Sequence, residues 1–130
     1  MVKIKKIFYN KLVRDKIPEV IKKAGGEAEF RVLSESEYKK ELLLKVGEEA
    51  SGLLKCKTKE DIQKELADVK AVIDEIKKEW NITDEDISDA EKAAFDKKGG
   101  FKKKLFLVWS EDTGYKTNER KYSKKGKVRA

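Results

Sequence analysis

Two apolar stripes of helical period, separated by a very short connector, constrain this chain more than any other feature. In the first, Leu42, Val46, Glu49 and Leu53 follow steps of 4, 3 and 4 and share one face. In the second, Ile62, Leu66, Val69, Ile73 and Ile76 line up in the same way. Only a loop as short as Cys56–Lys57 separates the two helical patterns. Helices joined so closely are antiparallel neighbours. The pattern therefore predicts a mostly α fold, an antiparallel helical bundle.

Boundary signals support this reading. Ser34 followed by Glu37 is a capping box, in which each side chain satisfies a free N–H of the opening turn. It predicts a helix from there to about Lys55. Thr58 with Asp61 predicts a second start and a helix to about Trp80. Thr83, followed by Asp84, Glu85 and Asp86, predicts a third, its acids facing the positive end of the helix dipole. Gly99-Gly100 should end that helix. Pro18 suits the first turn of a short helix over 17–24, stopped by Gly25-Gly26. Residues 4–9, 27–33 and 101–109 read as short strands or extended segments, so short extended pieces are expected at the N-terminus and after the last helix. The reading is one helical domain over residues 1–109 and a basic, flexible tail over 110–130, with no internal repeat.

One residue breaks the apolar pattern in an informative way. At about 100° per residue, Glu49 falls within about 20° of Leu42 and Leu53, in the middle of its stripe. A carboxylate there needs a partner or a metal. On the second helix Glu65 lies about 60° from the stripe centre, and Asp68 follows one turn later. Antiparallel pairing lets Glu49 meet Glu65 and Asp68. Clustered carboxylates repel one another unless a cation neutralises them, and magnesium suits such oxygen donors, keeping several waters and taking phosphate oxygens as well. The plain alternative is that Glu65 and Asp68 are solvated surface acids.

Composition narrows the chemistry. The 130 residues contain no histidine and one cysteine, Cys56. Ser-His and Cys-His nucleophile systems are thereby excluded, and a zinc centre lacks ligands. A metal would sit on carboxylates, which favours magnesium, manganese or calcium. No apolar run reaches the roughly 18 residues of a membrane span. The opening MVKIKKIFYN lacks the apolar core of a signal peptide, and a lone cysteine gives no internal disulfide, so a cytoplasmic setting and no membrane partner are expected. The net charge of +7 is uneven: residues 97–130 hold 12 basic and 3 acidic residues, against 20 and 22 in residues 1–96.

The string E-E-A-S-G-L-L (Glu48–Leu54) with K-E-L-A-D-V (Lys64–Val69) resembles the E-E-x-x-E … E-x-x-D signature of the MazG-like all-α nucleoside triphosphate pyrophosphohydrolases. Tyr9–Ile21, containing N-K-L-V-R-D-K-I-P, is similar to the opening of the phosphoribosyl-ATP pyrophosphohydrolase-like, house-cleaning branch of that group. Lys97–Leu107 is similar to its closing segment. The resemblance covers roughly residues 7–108. It implies a Mg²⁺-dependent cut between the α- and β-phosphates of a nucleoside triphosphate, with Mn²⁺ able to substitute, giving a nucleoside monophosphate and pyrophosphate. It implies metal ligation by Glu49, Glu65 and Asp68, and a place for Glu48 among the catalytic acids. It departs from the family at Gly52, where a third Glu is expected in the first half of the signature. Glycine supplies no ligand and weakens a helix interior by about 1 kcal/mol relative to alanine.

Lys11, Arg14 and Lys16, just ahead of the first helix, are candidate phosphate-binding residues, Arg for its fork of donors. Equally, Arg14 and Asp15 can pair with other charges to fix the N-terminal arm. Lys97–Lys104 with Gly99-Gly100 reads either as a phosphate-contacting loop or as a solvated helix end. Trp109, Tyr115 and Tyr122 interleave with basic residues, the pattern of a single-stranded nucleic-acid binder and also of a solubilising tail. Tyr38, Trp80 and Trp109 are stacking candidates, though core packing also uses such residues. The apolar stripes exceed what a chain this small can cover alone, which predicts a homodimer. The loss at Gly52 leaves open a degenerate relative that binds nucleotide or metal without turnover.

Overall fold

The computed structural model describes residues 5–114. The chain gathers into two units, Met1–Ile87 and Ser88–Ala130. Four α-helices and a 3-10 turn make up the regular structure among the described residues: α1 (Ile17–Lys23), α2 (Glu35–Ser51), the 3-10 turn (Gly52–Lys55), α3 (Lys59–Glu79) and α4 (Asp84–Lys98). No strand occurs among those residues, so the segments 27–33 and 101–109 are irregular or extended. No helix among them is long and apolar enough to cross a membrane. Tyr115, Tyr122 and most of the basic tail lie outside the described residues.

The helix starts follow from local chemistry. Ser34 Oγ accepts from the Glu37 N–H at 3.3 Å, and Glu37 Oε1 accepts from the Ser34 N–H at 3.2 Å, completing the capping box. Arg31 adds a two-pronged pair on Glu37, at 3.0 and 3.3 Å. That pairing, with the Ser34 hydrogen bonds, pulls the Glu37 carboxyl down to about 2. Thr58 caps α3 by accepting from Asp61 N–H at 3.1 Å. Thr83 opens α4 with a reciprocal pair to Asp86, the Asp86 carboxylate accepting from the Thr83 N–H at 2.9 Å.

Helix ends follow equally. Asn81 takes the left-handed conformation (φ 54°), with Ile82 N–H donating to Lys77 C=O at 2.8 Å and Asn81 N–H to Lys78 C=O at 3.3 Å. This is a Schellman ending, with Asn in the place that glycine usually takes. Gly25 (φ 85°) ends α1 in the same way.

The predicted helix over 34–55 divides into two. Regular α2 stops at Ser51, and Gly52 carries the chain into the 3-10 turn at φ −63° and ψ −25°. The chain keeps coiling right-handed but more tightly, and Cys56 N–H donates to Leu53 C=O at 3.2 Å. Leu53 stays on the α2 stripe, so the apolar period continues through the change of helix type.

Within the first unit α2 and α3 form an antiparallel hairpin. The start of α2 meets the end of α3 where the Tyr38 hydroxyl donates to Glu75 Oε2 at 3.4 Å. The end of α2 meets the start of α3 at the carboxylates. Leu42 is the sole buried hydrophobic side chain among the described residues, 2% exposed. Leu43 and Leu44 on α2 and Ile62, Leu66 and Ile73 on α3 remain exposed.

Candidate metal centre

The site is made by the closed end of the hairpin. Glu49 points from the last turn of α2 toward α3, as its place in the stripe requires. Glu65 and Asp68, one turn apart on α3, point back. One oxygen from each of the three carboxylates lies within 4.8 Å of the others, and all three residues are partly buried. The sequence expectation for this trio is met in space.

Two of the three acids already have cations. Arg14 Nη2 donates to Asp68 Oδ1 at 3.0 Å, which ties the N-terminal arm to α3. Lys45, whose side chain is only 12% exposed, lies one turn before Glu49 and approaches it at 3.4 Å and Glu48 at 3.6 Å. Glu48 also receives Lys11 at 3.8 Å. Glu65 has no hydrogen bond or ion pair among the described residues.

Glu65 instead fills the space beside Gly52. A Cβ placed on Gly52 would lie 2.7 Å from Glu65 Cδ and Oε2 and 2.8 Å from Oε1. Cys56 closes this corner: its thiol donates to Gly52 C=O at 3.4 Å. Burial, followed by the Glu65 and Asp61 charges, pushes that thiol's pKa up, which disfavours the thiolate form.

The donor set suits a small hard cation. Octahedral magnesium at about 2.1 Å holds opposite oxygens about 4.2 Å apart. Adjacent oxygens on such an ion are only about 3.0 Å apart, so the trio, which lies within 4.8 Å, would have to draw inward to share one. Arg14 sits on Asp68 Oδ1, and the second oxygen carries no ion pair among the described residues.

Of the other sequence candidates, Glu48, about 100° round α2 from Glu49, is not part of the trio and pairs with Lys11 and Lys45. Lys11 also lies over the Tyr9 ring, 5.7 Å from its centroid. Lys16 is the exposed N-cap of α1 and has no ion pair among the described residues. Arg14 is the one candidate phosphate ligand in direct contact with the trio. Tyr38 is occupied by Glu75, and Trp80 lies beneath Lys39, 5.4 Å from ring centroid to Nζ.

Two features escaped the sequence reading. Lys45 stands four residues before Glu49, the ordinary helical pairing distance, and that spacing was its available signal. The approach of Glu65 to Gly52 has no sequence signal, because it depends on how α2 and α3 are rotated against each other. Comparison with protein-family models, with curated proteins and with solved structures finds no match.

Proposed function

We propose that this chain is a metal-dependent nucleoside triphosphate pyrophosphohydrolase with a MazG-like bundle, releasing pyrophosphate and a nucleoside monophosphate. The observation that carries the reading is the convergence of Glu49, Glu65 and Asp68 at one end of the α2–α3 hairpin. Glu49, Glu65 and Asp68 would hold Mg²⁺, or Mn²⁺ in its place. Such an ion would offset the charge of a polyphosphate and lower the pKa of a water, making hydroxide available to attack phosphorus. Arg14 is placed to move from Asp68 to a phosphate oxygen, for which its planar fork is well matched. Lys11 and Lys16 extend the basic edge on the same arm. The lone cysteine and the carboxylate-based site are consistent with a cytoplasmic enzyme.

The test is pyrophosphate release from a panel of nucleoside triphosphates and phosphoribosyl-ATP, with Mg²⁺ and with Mn²⁺, for wild type and Glu65→Gln. Turnover that Glu65→Gln abolishes is the expected result. Turnover retained in Glu65→Gln, or no turnover with any substrate, would sink the reading.

A degenerate binding protein is the competing reading, and one observation favours it. Arg14 and Lys45 already pair with two of the three acids, which eases the repulsion of the folded cluster without a metal.

The reading includes a homodimer. Leu43 lies about 100° round α2 from the face that meets α3, and Ile62, Leu66 and Ile73 lie about 100° round α3 from Glu65 and Asp68. Because the helices are antiparallel, these rotations bring both sets to the same flank. Leu43 is 55% exposed and Leu66 52%. A second hairpin packed there would complete a four-helix core. Sedimentation at twice 15.0 kDa supports this, and a monomer over the micromolar range refutes it.

A further inference from the structure

We propose that Gly52 is a positioning residue: the space left by its missing side chain is what allows the Glu65 carboxylate to stand beside Glu49 and Asp68. The inference rests on the metal-centre reading for its consequence in binding, and on geometry alone for the placement of Glu65. Gly52 sits where the resemblance places a further acid, and its absence looks at first like a lost ligand. The structure gives the position a second meaning. All three terminal atoms of Glu65 lie within 2.8 Å of where a Cβ on residue 52 would be. A side chain at 52 requires the Glu65 carboxylate, the end of a flexible side chain, to leave its present place. The vacated volume is occupied by the carboxylate of the opposite helix, so one acid stands in the room of two.

This corner is held from several sides. Gly52 is at the change from α2 to the 3-10 turn, and Cys56 Sγ donates to its carbonyl at 3.4 Å. Glu65 has no cation of its own among the described residues, whereas Asp68 has Arg14 and Glu49 has Lys45. The backbone does not require glycine here, since φ −63° and ψ −25° are ordinary right-handed values. A glycine kept for backbone freedom would have a positive φ. The space is therefore the distinctive property of the position.

Gly52→Ala separates the possibilities. Alanine adopts this backbone without strain and favours helix, and the group it displaces is the end of a flexible side chain. The melting temperature should hold or rise. Mn²⁺ affinity, measured by calorimetry on the full chain, should fall roughly tenfold or more, within the range for disturbing a group that orients a metal ligand. Glu65→Gln should weaken Mn²⁺ binding at least as far. In the double variant Gly52→Ala/Glu65→Gln, affinity should match that of Glu65→Gln alone, because the Cβ acts only through Glu65. Gly52→Glu should bind Mn²⁺ no more tightly than wild type, since the added acid evicts the resident one.

Wild-type affinity in Gly52→Ala, or a double variant whose losses simply add, would overturn the proposal. A wild type that binds no Mn²⁺ would sink the metal centre, and the side-chain carboxyl ¹³C resonance of Glu65 then decides the placement. A resonance displaced by Gly52→Ala supports the role of Gly52, and an unmoved one refutes it.

Discussion

Helix α2 carries functional-looking acids at both ends, and the two ends are built on opposite terms. At its start Glu37 is held by Arg31 and by the Ser34 amide and hydroxyl, and its carboxyl titrates at about 2. Every oxygen there has a donor, so the group is a fastening. At the other end Glu49, Glu65 and Asp68 converge with two cations among three acids, and Glu65 has none. A carboxylate's surroundings, more than its presence on a helix, separate an acid whose oxygens are all satisfied from one still open to a further partner.

The largest expected effect tests that contrast directly. Glu65→Gln should lower metal-dependent pyrophosphate release by at least about a hundredfold, because losing a ligand exceeds the 10–100-fold cost of losing an outer partner. Glu37→Gln should leave turnover unchanged. Equal losses in both variants would break the comparison.

Next come the two arginines. Arg14→Ala should lower kcat/KM for a nucleoside triphosphate by about tenfold, as one charge-assisted phosphate contact disappears. Its Mn²⁺ affinity should hold or improve, since Asp68 is freed. Arg31→Ala should change neither quantity and should lower the melting temperature. A fall in Mn²⁺ affinity in Arg14→Ala would make Arg14 a brace for Asp68 and remove its phosphate role.

Smaller still is the cap. Ser34→Ala should cost about 1 kcal/mol in denaturant unfolding, the usual value for an N-cap of this kind, with turnover retained.

The smallest effect is one of pH. The Glu37 carboxyl is depressed from 4.5 to about 2 in the fold. Its stabilising contribution is therefore complete above about 4.5 and is lost as pH falls toward 2. Melting temperatures between pH 5 and pH 2 should show this slope, and Glu37→Gln should flatten it. An unchanged slope in that variant would assign the acid sensitivity to other carboxylates.

The sequence made the helix starts legible because capping is local chemistry: Ser34 with Glu37 and Thr58 with Asp61 read from three-residue spacings, and Thr83 from the run of acids that follows it. The carboxylate trio was legible for a similar reason, since Glu49 interrupts an apolar stripe facing a near neighbour. The end of α2 was not, because Leu53 keeps the apolar period through the shift to a 3-10 turn. Arg14 on Asp68 spans 54 residues and was open to two readings until the arm's course was known. The Glu65–Gly52 approach depends on the rotation of one helix against another, which no period records.

The tight 3-10 connection between α2 and α3 has a kinetic consequence. Glu49, Glu65 and Asp68 fall within about twenty residues of one another along the chain. Bringing them together costs only a short loop closure, an event of well under a microsecond for a segment of about ten residues. The acidic corner can thus form as the hairpin nucleates, before any assembly of copies, and its mutual repulsion then opposes the nucleus. On the proposed metal reading, a divalent cation present during refolding should speed the folding limb.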